Sequence, residues 1–185
     1  MKHKVCPWWL GYWLLNPLRK WVQNPHRILA PYVHEGMTVL EPGPGMGFFT
    51  LELARLVGAT GRVIAVDVQP KMLSKLQQRL SKANLNARVD SRVAAGETMG
   101  LADLQGSVDF TTAFYVVHEF PDYSRFFAEV AAASKPGAGV LVAEPTGHVK
   151  QATFEAELEA AGKAGFAVAE WLQIRRSRAV VLRKY

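Results

Sequence analysis

Val39-Leu40-Glu41-Pro42-Gly43-Pro44-Gly45-Met46-Gly47 is followed, twenty residues after its last glycine, by Val63-Ile64-Ala65-Val66-Asp67. A β-run ending in an acid, a glycine turn, a helix and a second β-run ending in an acid make a nucleoside-binding crevice. Glycines let the backbone pass close to a ligand where a Cβ would collide, and the second acid accepts hydrogen bonds from a ribose diol. The spacing separates two kinds of nucleoside. A dinucleotide fingerprint is G-x-G-x-x-G, its third glycine opening the helix against the sheet. Here the order is G-x-G-x-G, and Phe48 stands where that third glycine belongs. A diphosphate also needs a helix N-terminus free of anions, and Glu41 puts a carboxylate at this turn. The carboxylate repels a diphosphate and attracts an ammonium group, so a ligand with an adenine, a ribose and a positively charged amino-acid tail suits both ends.

The residues around this core alternate between the two periodicities. Strands are predicted over 38–41, 62–67, 88–94, 109–115 and 139–144. The last is an unbroken apolar run, as a strand covered on both faces should be. Between them, Phe49, Leu53 and Leu56 mark a helix that Gly58 stops, and Pro70 opens another whose Leu73, Leu76 and Leu80 form a stripe. A third helix is predicted over 122–134. Phe154, Leu158 and Ala161 mark a fourth, closed by Gly162 and Gly165. Two strands, 166–174 and 179–183, then join through a short turn at Arg176-Ser177 and must be antiparallel.

In order along the chain, these motifs resemble the class I S-adenosylmethionine-dependent methyltransferases. E-x-G-x-G-x-G with the acid at Asp67 looks like that family's first two motifs. Ser107-Val108-Asp109-Phe110 looks like its fourth strand, Val117-His118-Glu119-Phe120-Pro121-Asp122 like the segment after it, and Lys135-Pro136-Gly137-Ala138 like its "KPGG" turn with one glycine replaced. The resemblance implies an α/β fold: a Rossmann-like seven-stranded sheet, mostly parallel with an antiparallel last strand, and helices on both faces. It implies S-adenosylmethionine as cofactor, with Glu41, Gly43, Gly45 and Gly47 around the methionine tail and Asp67 on the ribose. Val68 and Met72 would line the adenine face, and Phe114 is a further cofactor-binding candidate, read with Tyr115 as pocket wall. Relatives often carry an acid in a "G-D-A-E" segment after strand three. Here it reads Ala94-Ala95-Gly96-Glu97, which leaves Gly96 as a backbone donor and Glu97 as the remaining acid. A turn-only role for the glycines and a helix-cap role for Asp67 are the plainer alternatives.

Methyl transfer from a sulfonium needs alignment of the nucleophile and an apolar wall, and a base only where the nucleophile must lose a proton. His118 and Glu119, after strand four, are the candidates for that role. Ordering of the loop by hydrogen bonding is the competing reading for His118. Tyr115, Glu144, His148 and Trp13 are candidates for the acceptor pocket. The attacked atom is left open among oxygen, nitrogen, sulfur and carbon, because selectivity lies in pocket shape.

Other classes are weakened by what the chain lacks. Base amino-methylation of nucleic acid shows an Asn/Asp-Pro-Pro-aromatic run where this chain has Ala113-Phe114-Tyr115-Val116. Catechol methylation wants acids grouped around a divalent ion, and no metal site is expected. Arsenite methylation needs several cysteines, and Cys6 is the one in the chain. A single cysteine makes no intramolecular disulfide and points to a reducing compartment, the cytoplasm. The net charge of +6, from 22 basic against 16 acidic residues, gathers near both ends and is read as solubility and edge protection, with an anionic partner as the alternative.

Length fits one domain: 185 residues, with a helical cap or lid over 1–35 and the core over 36–185. Four of the five tryptophans lie within the first 21 residues, in a run too short and too interrupted by proline and glycine to span a bilayer. Packing across the sheet, a lid over the active site, and a peripheral membrane contact beside Arg19 and Lys20 compete for this segment. The expectation is a methyltransferase of the ubiquinone and menaquinone biosynthesis type acting on a small, apolar molecule. The alternatives are a non-catalytic S-adenosylmethionine-binding or sensing module and, third, an NAD-binding dehydrogenase.

Overall fold

In the computed structural model, residues 23–95 and 98–185 are described. They begin with a short helix α1 (Pro25–Leu29), whose N-cap Asn24 accepts from the Arg27 amide. There follow β1 (Thr38–Pro42), α2 (Thr50–Leu56), β2 (Arg62–Asp67), α3 (Pro70–Lys82), β3 (Val89–Val93), β4 (Val108–Phe114), α4 (Tyr123–Ala133), β5 (Ser134–Pro145), α5 (Gln151–Lys163), β6 (Phe166–Leu172) and β7 (Ser177–Lys184). The strands form a seven-stranded sheet in the order β3-β2-β1-β4-β5-β7-β6. β7 inserts between β5 and β6 and runs antiparallel to both, while the remaining pairs are parallel. The sheet is the one expected from the sequence.

Strand residues alternate between two apolar layers, as the period of two requires. Val39, Val63, Ala65, Leu141 and Ala143 join Leu29, Leu53, Leu76 and Leu80 from α1, α2 and α3. Their neighbours Leu40, Ile64, Val66, Val140 and Val142 pack on the other face with Phe126, Phe127, Phe154 and Ala161 from α4 and α5. A near-continuous apolar strand is what a sheet covered on both faces needs. The starts of the helices are built locally: Pro70 occupies the first turn of α3, and Asp122 caps α4 by accepting from the Arg125 amide at 3.1 Å.

Three boundaries differ from the sequence reading. β5 starts at Ser134, not near residue 139: its pairing with β4 jumps from Val108–Ser134 to Phe110–Gly139, so the Lys-Pro-Gly-Ala segment bulges from a strand already begun. Gly162 lies inside α5, which runs on to Lys163, and Gly165, at φ +91°, follows the helix. β6 ends at Leu172, and the positive φ of Arg176, +61°, makes the turn into β7.

Because β1 pairs with β2 on one side and β4 on the other, the chain leaves β1 and β4 in opposite directions. The divergence opens a crevice at the carboxyl ends of the strands, where doubly wound sheets bind ligands. Glu41, Asp67, Tyr115, His118, Glu144 and His148 all belong to this edge or to the loops just beyond it.

Candidate functional site

The glycine turn leaves β1 beside β2, where the Gly43 amide donates to the Val66 carbonyl at 2.8 Å. Its glycines do different work. A Cβ on Gly47 would lie 2.4 Å from Leu76 Cδ1 and 3.0 Å from Leu51 Cδ1, so this position is tight because α3 and α2 close on it. Gly45, at φ +55°, has nothing within 4 Å of the same point, and its open side is room that a ligand can fill.

Glu41 is 4% exposed, and its Oε2 has no hydrogen-bond partner. Burial pushes its carboxyl up to about 8; the Thr50 hydroxyl draws it down in part, and the charge of Asp67 adds to the rise. Asp67, 8% exposed, accepts from the Gln69 amide at 2.8 Å and from the Gly45 amide at 3.3 Å. Burial raises its pKa, and those amides hold it back in part. Asp67 therefore bonds the segment leading into α3, whose N-cap is Gln69 with no side-chain cap bond, to the glycine turn. Val68 is 47% exposed beside it, while Met72 is buried at 3%. Phe114 stacks at a tilt on Phe49, ring centroids 4.2 Å apart. Trp13, Gly96 and Glu97 lie outside the described residues; an isolated bridge between Ala95 and Thr98 flanks the last two.

A second cluster forms where the loops after β4 and β5 meet. Glu144, with no exposed side-chain surface, accepts from the Val117 amide at 2.9 Å and the His118 amide at 3.4 Å through Oε1. Its Oε2 lies 2.5 Å from His118 Nδ1. A carboxylate can only accept, so Nδ1 carries the hydrogen and Nε2 is left as the basic nitrogen. Burial works against the charged imidazole, but the Glu144 bond and the charges of Glu144 and Glu119 outweigh it and hold His118 above its usual range. His148 meets His118 edge to face at 5.1 Å. Glu119 is half-buried in the same turn. Tyr115 has φ +62°, uncommon for a bulky residue. Its hydroxyl shares a 2.7 Å hydrogen bond with Ser177 Oγ and accepts from Gln23 Nε2, joining the end of β4 to β7 and to the start of the described chain.

The sequence reading had Glu144 and His118 as separate candidates, one for the acceptor pocket and one for proton transfer; the structure brings them together. It did not find Gln23, Ser177, Thr50 or Arg79, nor Glu157, a carboxyl without exposed surface on α5. For Glu157 a signal existed, because it sits three residues after Phe154 and four before Ala161 on the helix's apolar face. The contacts of Gln23 and Ser177 with Tyr115 span 92 and 62 residues, and leave no trace in local pattern. Among the described residues no group of three or more His, Cys, Asp and Glu is arranged to hold a metal ion, and no helix is long and apolar enough to cross a membrane.

A methyltransferase domain family matches residues 33–176 of this chain. The chain belongs to that family. It is 31% identical over 112 residues to a demethylmenaquinone methyltransferase of Oceanobacillus iheyensis, covering 60% of this chain and 46% of that protein. To an arsenite methyltransferase of Halobacterium salinarum it is 34% identical over 121 residues, 65% of this chain and 30% of that one. The chain thus spans less than half the length of these curated relatives. Among solved structures, a SAM-dependent methyltransferase from Aquifex aeolicus superposes with a TM-score of 0.86 at 23% identity, covering 98% of this chain and 100% of that one, a likeness of fold.

Proposed function

We propose that the chain transfers a methyl group from S-adenosylmethionine to a small, largely apolar acceptor bearing an ionisable hydroxyl, in the cytoplasm. The observation that carries the cofactor is Glu41: a buried carboxyl with an orphaned oxygen, just before a glycine turn whose Gly45 has open space around it, and close enough to Asp67 for the two charges to interact. Such a group is costly to bury without a partner, and an ammonium group is the partner its chemistry asks for. The residues fit the cofactor. Gly43, Gly45 and Gly47 would receive the aminoacyl tail, Glu41 its ammonium, and Asp67 the ribose hydroxyls, with Val68, Met72, Phe114, Gly96 and Glu97 on the adenine side. When bound, the cofactor supplies an already activated methyl group, and its sulfur keeps the electron pair of the broken bond.

The residues on the acceptor side have two tasks. His118 Nε2, freed by the Nδ1 bond to Glu144, takes the hydroxyl proton as the nucleophile gains its methyl, and Glu144 stabilises the imidazolium so formed. Tyr115, His148 and Glu119 shape the approach. A small apolar acceptor of the quinone class is supported by the name of the demethylmenaquinone methyltransferase relative. The single cysteine argues against arsenite chemistry. Calorimetry with S-adenosylhomocysteine, followed by transfer of labelled methyl from S-adenosylmethionine to hydroxylated naphthalenes, tests the reading. Tight binding with no transfer to any acceptor or extract component would favour a sensing module, and stabilisation by NAD alone would sink the cofactor assignment.

A further inference from the structure

The peptide between Met46 and Gly47 is held from both ends. Its N–H, on Gly47, donates to the Pro44 carbonyl at 2.9 Å. Its C=O, on Met46, accepts from Arg79 Nη1, which reaches across from α3. Met46 is 4% exposed, so this carbonyl has little recourse to water. One turn earlier on the same helix, Leu76 fills the space where a Cβ of Gly47 would stand. α3 therefore grips the turn twice, once by packing and once by charge.

Arg79 is a costly choice for a merely structural donor. It is half-buried, and both desolvation and the nearby Arg55 cation work against its charged form. Among the described residues no carboxylate pairs with it, and it donates to the turn's own Met46 carbonyl. A turn rich in positive-φ glycines has little intrinsic preference for one peptide orientation. Fixing both dipole ends of one peptide removes the freedom of that plane to flip, and so sets the direction of the amides on either side.

We infer that Arg79 is a positioning residue for the aminoacyl end of the cofactor: by pinning the Met46 carbonyl it keeps the Gly43–Gly47 turn in its ligand-receiving shape. The inference rests on the proposal that this turn receives the aminoacyl tail. Preorganisation of this kind raises affinity by removing the cost of ordering the loop at the moment of binding. Its effect is therefore confined to ligands that have the tail.

Two ligands separate that role from general stability. S-adenosylhomocysteine carries the tail, whereas 5′-methylthioadenosine has the same adenosine and thioether without it. In calorimetry, Arg79→Met should weaken the first about tenfold, as loss of a charge-assisted hydrogen bond implies, and change the second less than about twofold. Arg79→Lys, which still presents a cation to the carbonyl, should recover most of the loss. Should the methionine variant not fold, Arg79→Gln, too short to reach Met46, carries the same comparison. Equal weakening of both ligands, or of neither, overturns the role of Arg79. A wild-type protein that binds S-adenosylhomocysteine no tighter than 5′-methylthioadenosine overturns instead the placing of the tail on the turn.

Discussion

His118 Nδ1 stands 2.5 Å from Oε2 of Glu144, a carboxylate without exposed surface whose other oxygen accepts from the amides of Val117 and His118. One side chain thus sets both the backbone of the turn after β4 and the orientation of the ring it carries. In register, Glu144 follows Val140 and Val142 and so faces the α4–α5 layer, whereas Glu41 and Asp67 follow Val39 and Ala65 toward α2 and α3. The two halves of the site are anchored in opposite layers of the molecule and meet at the sheet's edge.

Removing the base should affect turnover and not cofactor affinity. His118→Gln is expected to lower kcat by about a hundredfold, the usual range for general-base loss, with S-adenosylhomocysteine binding unchanged. In Glu144→Gln the raised pKa of His118 should fall, moving the rise of activity with pH to lower pH while reducing its plateau. The pH–rate profiles of both variants decide the matter, and a wild-type rate retained by His118→Gln removes the histidine from the chemistry.

In the proposed site, Glu41 should link cofactor binding to protons. With its carboxyl pushed up to about 8, it is largely protonated at pH 7 in the free protein. An arriving ammonium group favours the ionised form, so binding should release close to one proton at pH 7 and strengthen as pH rises from 6 toward 8. Titration calorimetry in buffers of different ionisation enthalpy measures that proton. Glu41→Gln should abolish it.

The ribose contact has a plain size. If Asp67 receives the ribose as proposed, Asp67→Ala removes a charged acceptor of two hydroxyl hydrogen bonds, each worth about 1.5–3 kcal/mol, and should weaken cofactor binding at least tenfold. The folded protein itself keeps the other contacts of the turn, so the melting temperature of the ligand-free variant should change far less than its response to added S-adenosylhomocysteine.

The two glycines ought to fail differently. Gly45→Ala meets open space and pays only for its positive φ, of the order of 1 kcal/mol, so binding should suffer more than stability. Gly47→Ala meets Leu76 Cδ1 at 2.4 Å and strains the packing of α3. It should lower the melting temperature clearly. Thermal melts with and without ligand distinguish the pair.

Glu157 makes the fold lose stability as pH rises from acid through neutral. It has no exposed surface and no partner for either carboxyl oxygen, and burial, with the charge of Glu144, pushes it up to about 8 from an ordinary 4.5. Below 4.5 both folded and unfolded chains hold the proton. Between 4.5 and 8 the folded chain alone holds it, so stability declines as pH rises, by at most ~1.4 kcal/mol per unit, and levels off above 8. Glu157→Gln should flatten that decline. Urea unfolding at pH 5 and pH 8 gives the test: an equal change in stability at both would show that the carboxyl does not titrate as described.

What the sequence by itself determined is the frame and the acids and glycines of the proposed crevice. The strand and helix periods, the acids at Glu41 and Asp67 and the turn between them are encoded within thirty residues, because backbone conformation and burial are local demands that residue type answers directly. The register at Lys135–Ala138 was not legible, since a bulge is decided by the strand it pairs with. Nor were the bond between His118 and Glu144, the reach of Arg79 to Met46, or the bridge from Gln23 through Tyr115 to Ser177. Each joins side chains from distant segments whose directions are fixed only when the sheet has closed and the helices have packed on it, and no spacing along a chain records where two such directions cross.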